Sequence, residues 1–162
     1  MVLLRYLYVV ALVLWVGGLI VAGALVAPSV FGVLQAWNAS EGRVLAGQVF
    51  GEVLLRLTWL SYAMGVIMFI TLTLHRLLGS RPAKYGIRVG IMGVMLLMMF
   101  ATGFYVIPQV NAIQAQVTGP VSALAESDAR RVEFNRLHGL SNILFSITAI
   151  GGLALCWWES RE

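Results

Sequence analysis

Two polar sets stand at the mouths of long apolar runs in this chain. Glu52 and Arg56 lie four residues apart, and Trp59 continues the same helical face. His138, Ser141 and Asn142 are spaced i, i+3, i+4 and form one stripe on a helix. Gln109 and Asn111 follow Pro108 at a corresponding level. Together they supply a carboxylate, a guanidinium, an imidazole, a hydroxyl and amides. That inventory suits a site that holds a small solute or ion by charge and directional hydrogen bonds. The run from Leu137 to Trp158 is otherwise almost wholly apolar, so its polar stripe must face protein or water, not lipid. The expected ligand-binding set is Glu52, Arg56, Trp59, Gln109, His138, Ser141 and Asn142, brought together if the helices bearing Arg56 and His138 are neighbours.

Each of these groups also has a plainer role. Arg56 can snorkel to headgroups with Glu52 in water, and His138 can bridge helices. Other chemistries find less support. Ser141 lies near His138, but the nearest aspartate in sequence, Asp128, falls in a connection, so no triad forms. There is no phosphate-binding glycine loop and no His-Glu-x-x-His motif. No enzymatic activity, catalytic residue or cofactor is expected. His75 and His138 belong at opposite membrane faces, roughly 30 Å apart, and cannot share a haem. The single cysteine, Cys156, excludes an intrachain disulfide and a multi-cysteine metal site. Met64 and Met68, with Met92, Met95 and Met99, are placed to meet across two antiparallel helices. Thioethers suit a soft cation such as Cu(I), but they equally fill gaps in apolar cores.

The elements that must position these groups follow from charge spacing. Hydrophobic residues make up 60% of the 162 and charged residues 11%, against about 25% in soluble domains. Residues 6–40, 57–75, 89–125 and 137–158 carry no formal charge. Each stretch reaches the roughly 18 residues needed to cross a bilayer. The expectation is an all-α, single integral membrane domain over 1–162. Four transmembrane helices near 6–34, 53–76, 87–110 and 137–158 form two hairpins. The first run is too long for the apolar part of a cleaved signal peptide. The four basic residues Arg76, Arg81, Lys84 and Arg88 fall in the short connection between spans two and three. By the positive-inside rule this connection is cytoplasmic, which makes the bundle N-in/C-in, in a bacterial plasma membrane. The +4 net charge is thereby accounted for without a nucleic-acid partner. The lipid bilayer is the expected partner, with a homo-oligomer or a larger membrane complex beside it.

The hairpins read as a weak parallel repeat. Each has a proline late in its first span, Pro28 and Pro108, and a phenylalanine at the second, Phe50 and Phe134. Asn38-Ala39-Ser40 fits a helix start. Thr118-Gly119-Pro120 marks a turn, and residues 122–131 are expected to form a short polar helix. Small residues at Gly18 and Ala22, Gly86 and Gly90, and Gly151 and Gly152 favour close helix packing.

Three segments carry a resemblance: Trp15-Val16-Gly17-Gly18 followed by Pro28 and Phe31; Phe104 to Val110; and Phe134 to Ser141. The chain resembles the transmembrane protein 205-like family, also catalogued as domain of unknown function 4149. The Phe-x-x-x-His-Gly-x-Ser pattern of Phe134, His138, Gly139 and Ser141 is the most specific part. The resemblance implies an integral membrane protein without an assigned activity. Through a relative linked to platinum-drug resistance it also implies handling of soft metals or small solutes. The resulting expectation is a protein that binds or passes a small solute or ion through an outer-leaflet cluster around His138. An accessory subunit of a larger complex is the alternative, and soft-metal handling the third reading.

Overall fold

A computed structural model describes residues 2–79 and 84–161. Arg81 lies outside them. Four helices long and apolar enough to cross a membrane run Val2–Trp37, Glu41–Leu78, Tyr85–Ala115 and Ala129–Glu159. They form an up-down bundle of two hairpins, as composition implied. The protein is a multi-pass integral membrane protein with both termini at one end. The first helix packs on the second and fourth, and the third helix packs on the same two. The second and fourth are diagonal, so the expected neighbourhood of Arg56 and His138 is not formed.

The helices run well past the apolar windows. The first has 36 residues, about 54 Å at 1.5 Å per residue, against roughly 30 Å of hydrocarbon. Backbone hydrogen bonding continues wherever side chains tolerate it, and water tolerates polar ones. The excess projects at the end opposite the termini. There Asn38 Oδ1 accepts from the Ser40 and Glu41 amides at 3.0 Å and starts the second helix. The expected polar helix at 122–131 is instead a 3-10 turn, Val121–Ala123, and the fourth helix begins at Ala129. Asp128 accounts for the shift. Its carboxylate caps the Arg130 amide at 2.9 Å and pairs with the Arg130 guanidinium at 2.7 Å.

The repeat has a backbone counterpart. Ala22–Val26 and Thr102–Val106, 80 residues apart, are each one π-helical turn. Each lies just before a proline, Pro28 or Pro108. Proline lacks an N–H, and its ring collides with the carbonyl four residues back. Admitting one extra residue into the turn moves that carbonyl aside while the helix continues. Ala27 donates to the Ala22 carbonyl and Ile107 to the Thr102 carbonyl, the five-residue step of a π turn.

The core fills the terminal half of the bundle. Trp15 is fully buried, with Met68, Met92, Met95 and Met99 around it and Leu12, Leu72 and Leu155 beside them. The methionines thus meet, packed among aliphatic side chains. Close approach explains the small residues of the first and fourth helices. A Cβ on Gly152 would collide with Val16, and one on Gly18 would stand 2.9 Å from Leu57. Gly86 and Gly90 face open space, so that pair makes no close helix contact within the chain. Buried threonine and serine hydroxyls are satisfied within their own helices: Thr58, Ser61 and Thr148 donate to carbonyls four residues back at 2.8–2.9 Å.

A buried ion cluster ties all this together at the terminal end. Glu159 accepts from Arg88 Nη2 at 2.7 Å through one carboxylate oxygen, and from Arg5 Nε at 2.6 Å through the other. Arg5 also donates to the Glu159 backbone carbonyl at 3.1 Å. Arg88, only 1% exposed, lies with its guanidinium 5.5 Å from the centre of the Tyr8 ring. Thr71 and His75 of the second helix border the same small space. The cluster therefore joins the first, third and fourth helices and touches the second. Arg88 is thus a buried structural cation, not a member of a solvated basic loop.

Removing one member of a buried ion pair strands the other, which costs about 3–5 kcal/mol. Glu159→Gln is expected to lower the thermal unfolding midpoint in detergent strongly, whereas Arg56→Gln leaves it nearly unchanged. Equal midpoints for the two variants would contradict the assignment. The Arg130 hydrogen bonds hold the Asp128 carboxyl at about 2, below its ordinary 3.8. A depressed carboxyl stabilises the folded chain above its unfolded value, and that contribution disappears as pH falls through the folded value. Amide exchange in the first turn of the fourth helix should therefore accelerate as pH is lowered from 4 towards 2, after correction for intrinsic exchange. In Asp128→Asn that step should be absent.

Candidate functional site

Beyond the π turns the hairpins part. The segment Ala27–Trp37 packs on Glu41–Leu78, and Ile107–Ala115 packs on the fourth helix, but neither segment packs extensively across to the other hairpin. The gap between them is a cavity of about 910 Å³ with walls from all four helices and from residues 117–122. Its inner wall is apolar, formed by Leu19, Ile20, Leu57, Phe145 and Ala149 among others. Its mouth carries Gln35, Arg43, Gln48, Asn111, Gln114 and Ser122. His138, Ser141, Asn142 and Ser146 run down the fourth helix between these zones.

The sequence-derived residues divide between this wall and the outer surface. His138, Ser141 and Asn142 line the cavity. The His138 ring lies nearly parallel to that of Phe134, at 6.3 Å between centres. Glu52, Arg56, Trp59 and Gln109 do not line it. Arg56 donates to Glu52 at 2.9 Å, but both point outward, with side chains 79% and 54% exposed. Trp59 stands edge-on to Tyr62, 5.7 Å between ring centres, on the same outer surface. The reason is angular. Gly47, Gly51 and Leu54 make the cavity stripe of the second helix, and Glu52 is one residue on, about 100° round. Gln109 is likewise displaced from Val110, which does face the cavity.

Asn111 stood in the sequence reading, but Gln35, Arg43, Gln48 and Gln114 escaped it because they lie past the apolar windows. One signal was present: the prolines of spans one and three are each followed within two turns by a glutamine, Gln35 after Pro28 and Gln114 after Pro108. Both line the cavity. Arg43 is the sole Lys, Arg, Asp or Glu among the described lining residues. Its Nη2 and Nε donate to Gln35 Oε1 at 3.0 and 3.3 Å, and its Nη1 donates to Ser122 Oγ at 2.9 Å. These partners are neutral, so they fix the guanidinium without cancelling its charge.

The cavity's depth follows from helix length. About 20 residues cross the hydrocarbon. Counted from Arg5, Arg76, Arg88 and Glu159 at the terminal end, that distance ends near residues 25, 56, 108 and 139. Arg56, Pro108 and His138 thus share one level, that of the second membrane face. The apolar wall lies inside it and the mouth outside. Such a wall offers hydrogen bonds and one fixed positive charge above, and apolar contact below. Among the described residues, no group of three or more His, Cys, Asp or Glu side chains is placed to hold a metal ion.

The cavity should be wet at Asn142, whereas Thr148, fully buried and not part of the cavity wall, should be dry. In a Cys156→Ser background, Asn142→Cys is expected to react rapidly with a water-soluble maleimide in intact vesicles, and Thr148→Cys to resist it. Comparable labelling of both would refute the division.

A family model described as a domain of unknown function (DUF4149) matches residues 10–118. That is about two thirds of the chain, so the chain belongs to this family. The match takes in three helices and both π turns and ends before Phe134–Ser141. No curated protein and no solved structure matches.

Proposed function

We propose that this member of the family binds a small solute in the cavity between its hairpins. One observation carries the reading: a cavity of about 910 Å³ opens at one end of the bundle, and a buried ion cluster plugs the other. Small-molecule pockets span about 300–1,000 Å³ and are mostly apolar with a few placed polar groups. The wall has that make-up. A bare ion needs far less room and more ligating oxygen, and the plugged end makes the cavity a blind pocket. Binding is therefore favoured over passage. Positive charge around the terminal end supports placing that end in the cytoplasm and the cavity mouth outside, in a bacterial plasma membrane. The finer kinship with transmembrane protein 205-like proteins rests on Phe134, His138, Gly139 and Ser141, of which Phe134, His138 and Ser141 line the cavity.

Gly51 supplies the test. It lines the cavity, and a Cβ there meets nothing within 4 Å, so Gly51→Phe projects a ring into the space and obstructs it without a backbone clash. Native mass spectrometry of protein released gently from membranes should find a bound small molecule on the wild type and on Arg56→Ala. Gly51→Phe should carry none while keeping its unfolding midpoint. Identical adducts on all three, or none on the wild type, would overturn the proposal.

A further inference from the structure

The cavity's chemistry changes along its length, and that gradient selects a ligand class. From Arg43 to Leu57 the second helix runs 14 residues beside the cavity, about 21 Å. That stretch runs from outside the membrane, at Arg43, down to its face at Leu57, and Leu19 and Phe145 carry the cavity about six residues, roughly 9 Å, further in. Leu19, Leu57, Phe145 and Ala149 at the inner end offer no polar group, and the Ser146 hydroxyl beside them already donates to the Asn142 carbonyl at 2.7 Å, so an apolar chain is the part best satisfied there. The mouth is the reverse. Arg43 contributes a fixed positive charge, and Gln48, Asn111 and Gln114 add amide donors. No aspartate or glutamate lines the described wall, so a cationic head would find no carboxylate. Among the described residues, no carboxylate pairs with Arg43.

We propose that the solute is an anionic amphiphile, its acyl chain among Leu19, Leu57 and Phe145 and its charged head at Arg43. This rests on the reading of the cavity as a binding site and adds the ligand's class.

The test uses the full chain in a neutral maltoside detergent, with thermal unfolding and native mass spectrometry as readouts. The probes are lysophosphatidic acid, lysophosphatidylcholine of the same chain length, and inorganic phosphate. Lysophosphatidic acid should bind one per chain and raise the midpoint. Arg43→Gln should weaken it about tenfold, the loss of one charge-assisted contact, to the level of the choline lipid. Arg161→Gln, at the opposite end, should change nothing. Gly51→Phe should abolish binding of both lipids. Equal binding of the two lipids, with no effect of Arg43→Gln, overturns the anionic head but leaves the cavity reading intact if Gly51→Phe still abolishes both. If Gly51→Phe also has no effect, both readings fail. Stabilisation by phosphate alone, dependent on Arg43, makes the ligand a free anion and overturns the amphiphile. A lipid-free dimer makes the occupant a second copy and overturns it as well.

Discussion

The contact of Glu159 with Arg88 and Arg5 governs the rest of the molecule. Charges removed from water inside a bundle are tolerated only when paired with good geometry, and here one carboxylate serves two guanidinium groups through separate oxygens. The three residues come from three helices. Their pairing fixes how the first, third and fourth helices meet at the terminal end, and the methionine and Trp15 core packs directly above. In lipid there is no hydrophobic contrast to press helices together. A specific polar clamp with tight glycine contacts takes over that role. The seam of Val16 on Gly152 adds packing where the clamp ends.

Because one end is fixed, the other is free to part. The π turns before Pro28 and Pro108 are the points beyond which the hairpins diverge. Each turn resolves the proline clash while leaving its helix intact. Each also rotates the helix beyond it, since an extra residue per turn changes which side chains face inward. Gln35 and Gln114 face the cavity beyond these turns. A local backbone constraint, set by two prolines 80 residues apart, is thereby linked to the polarity of the cavity mouth.

The spacing of charge along the chain made four spanning helices and two hairpins legible, because uncharged stretches of that length have few other uses. The stripe of His138, Ser141 and Asn142 was legible as inward-facing for the same reason. Helix neighbourhood was not. Nothing in Glu52-x-x-x-Arg56 states that its helix lies diagonal to the fourth, and a rotation of about 100° suffices to turn it outward. Arg88 was obscured by its company, since three basic residues precede it within thirteen positions and mimic a solvated loop. Glu159 was obscured by its place near the chain end. An acid closing a long apolar run, directly after Trp157 and Trp158, was the available hint that it had a buried cation to meet. The mouth residues Arg43 and Gln48 were missed because hydropathy ends where the helices leave the hydrocarbon, although the helices themselves do not.

The central claim is a bundle clamped at its terminal end and open at the other. It is tested most directly by pulsed dipolar spectroscopy in lipid nanodiscs, with spin labels at residues 51 and 146 on opposite walls of the cavity, in a Cys156→Ser background. The account predicts a single population of well-separated labels that broadens or shifts when Glu159→Gln is added. Labels at contact range in the otherwise unaltered chain, or a distribution indifferent to Glu159→Gln, would contradict it.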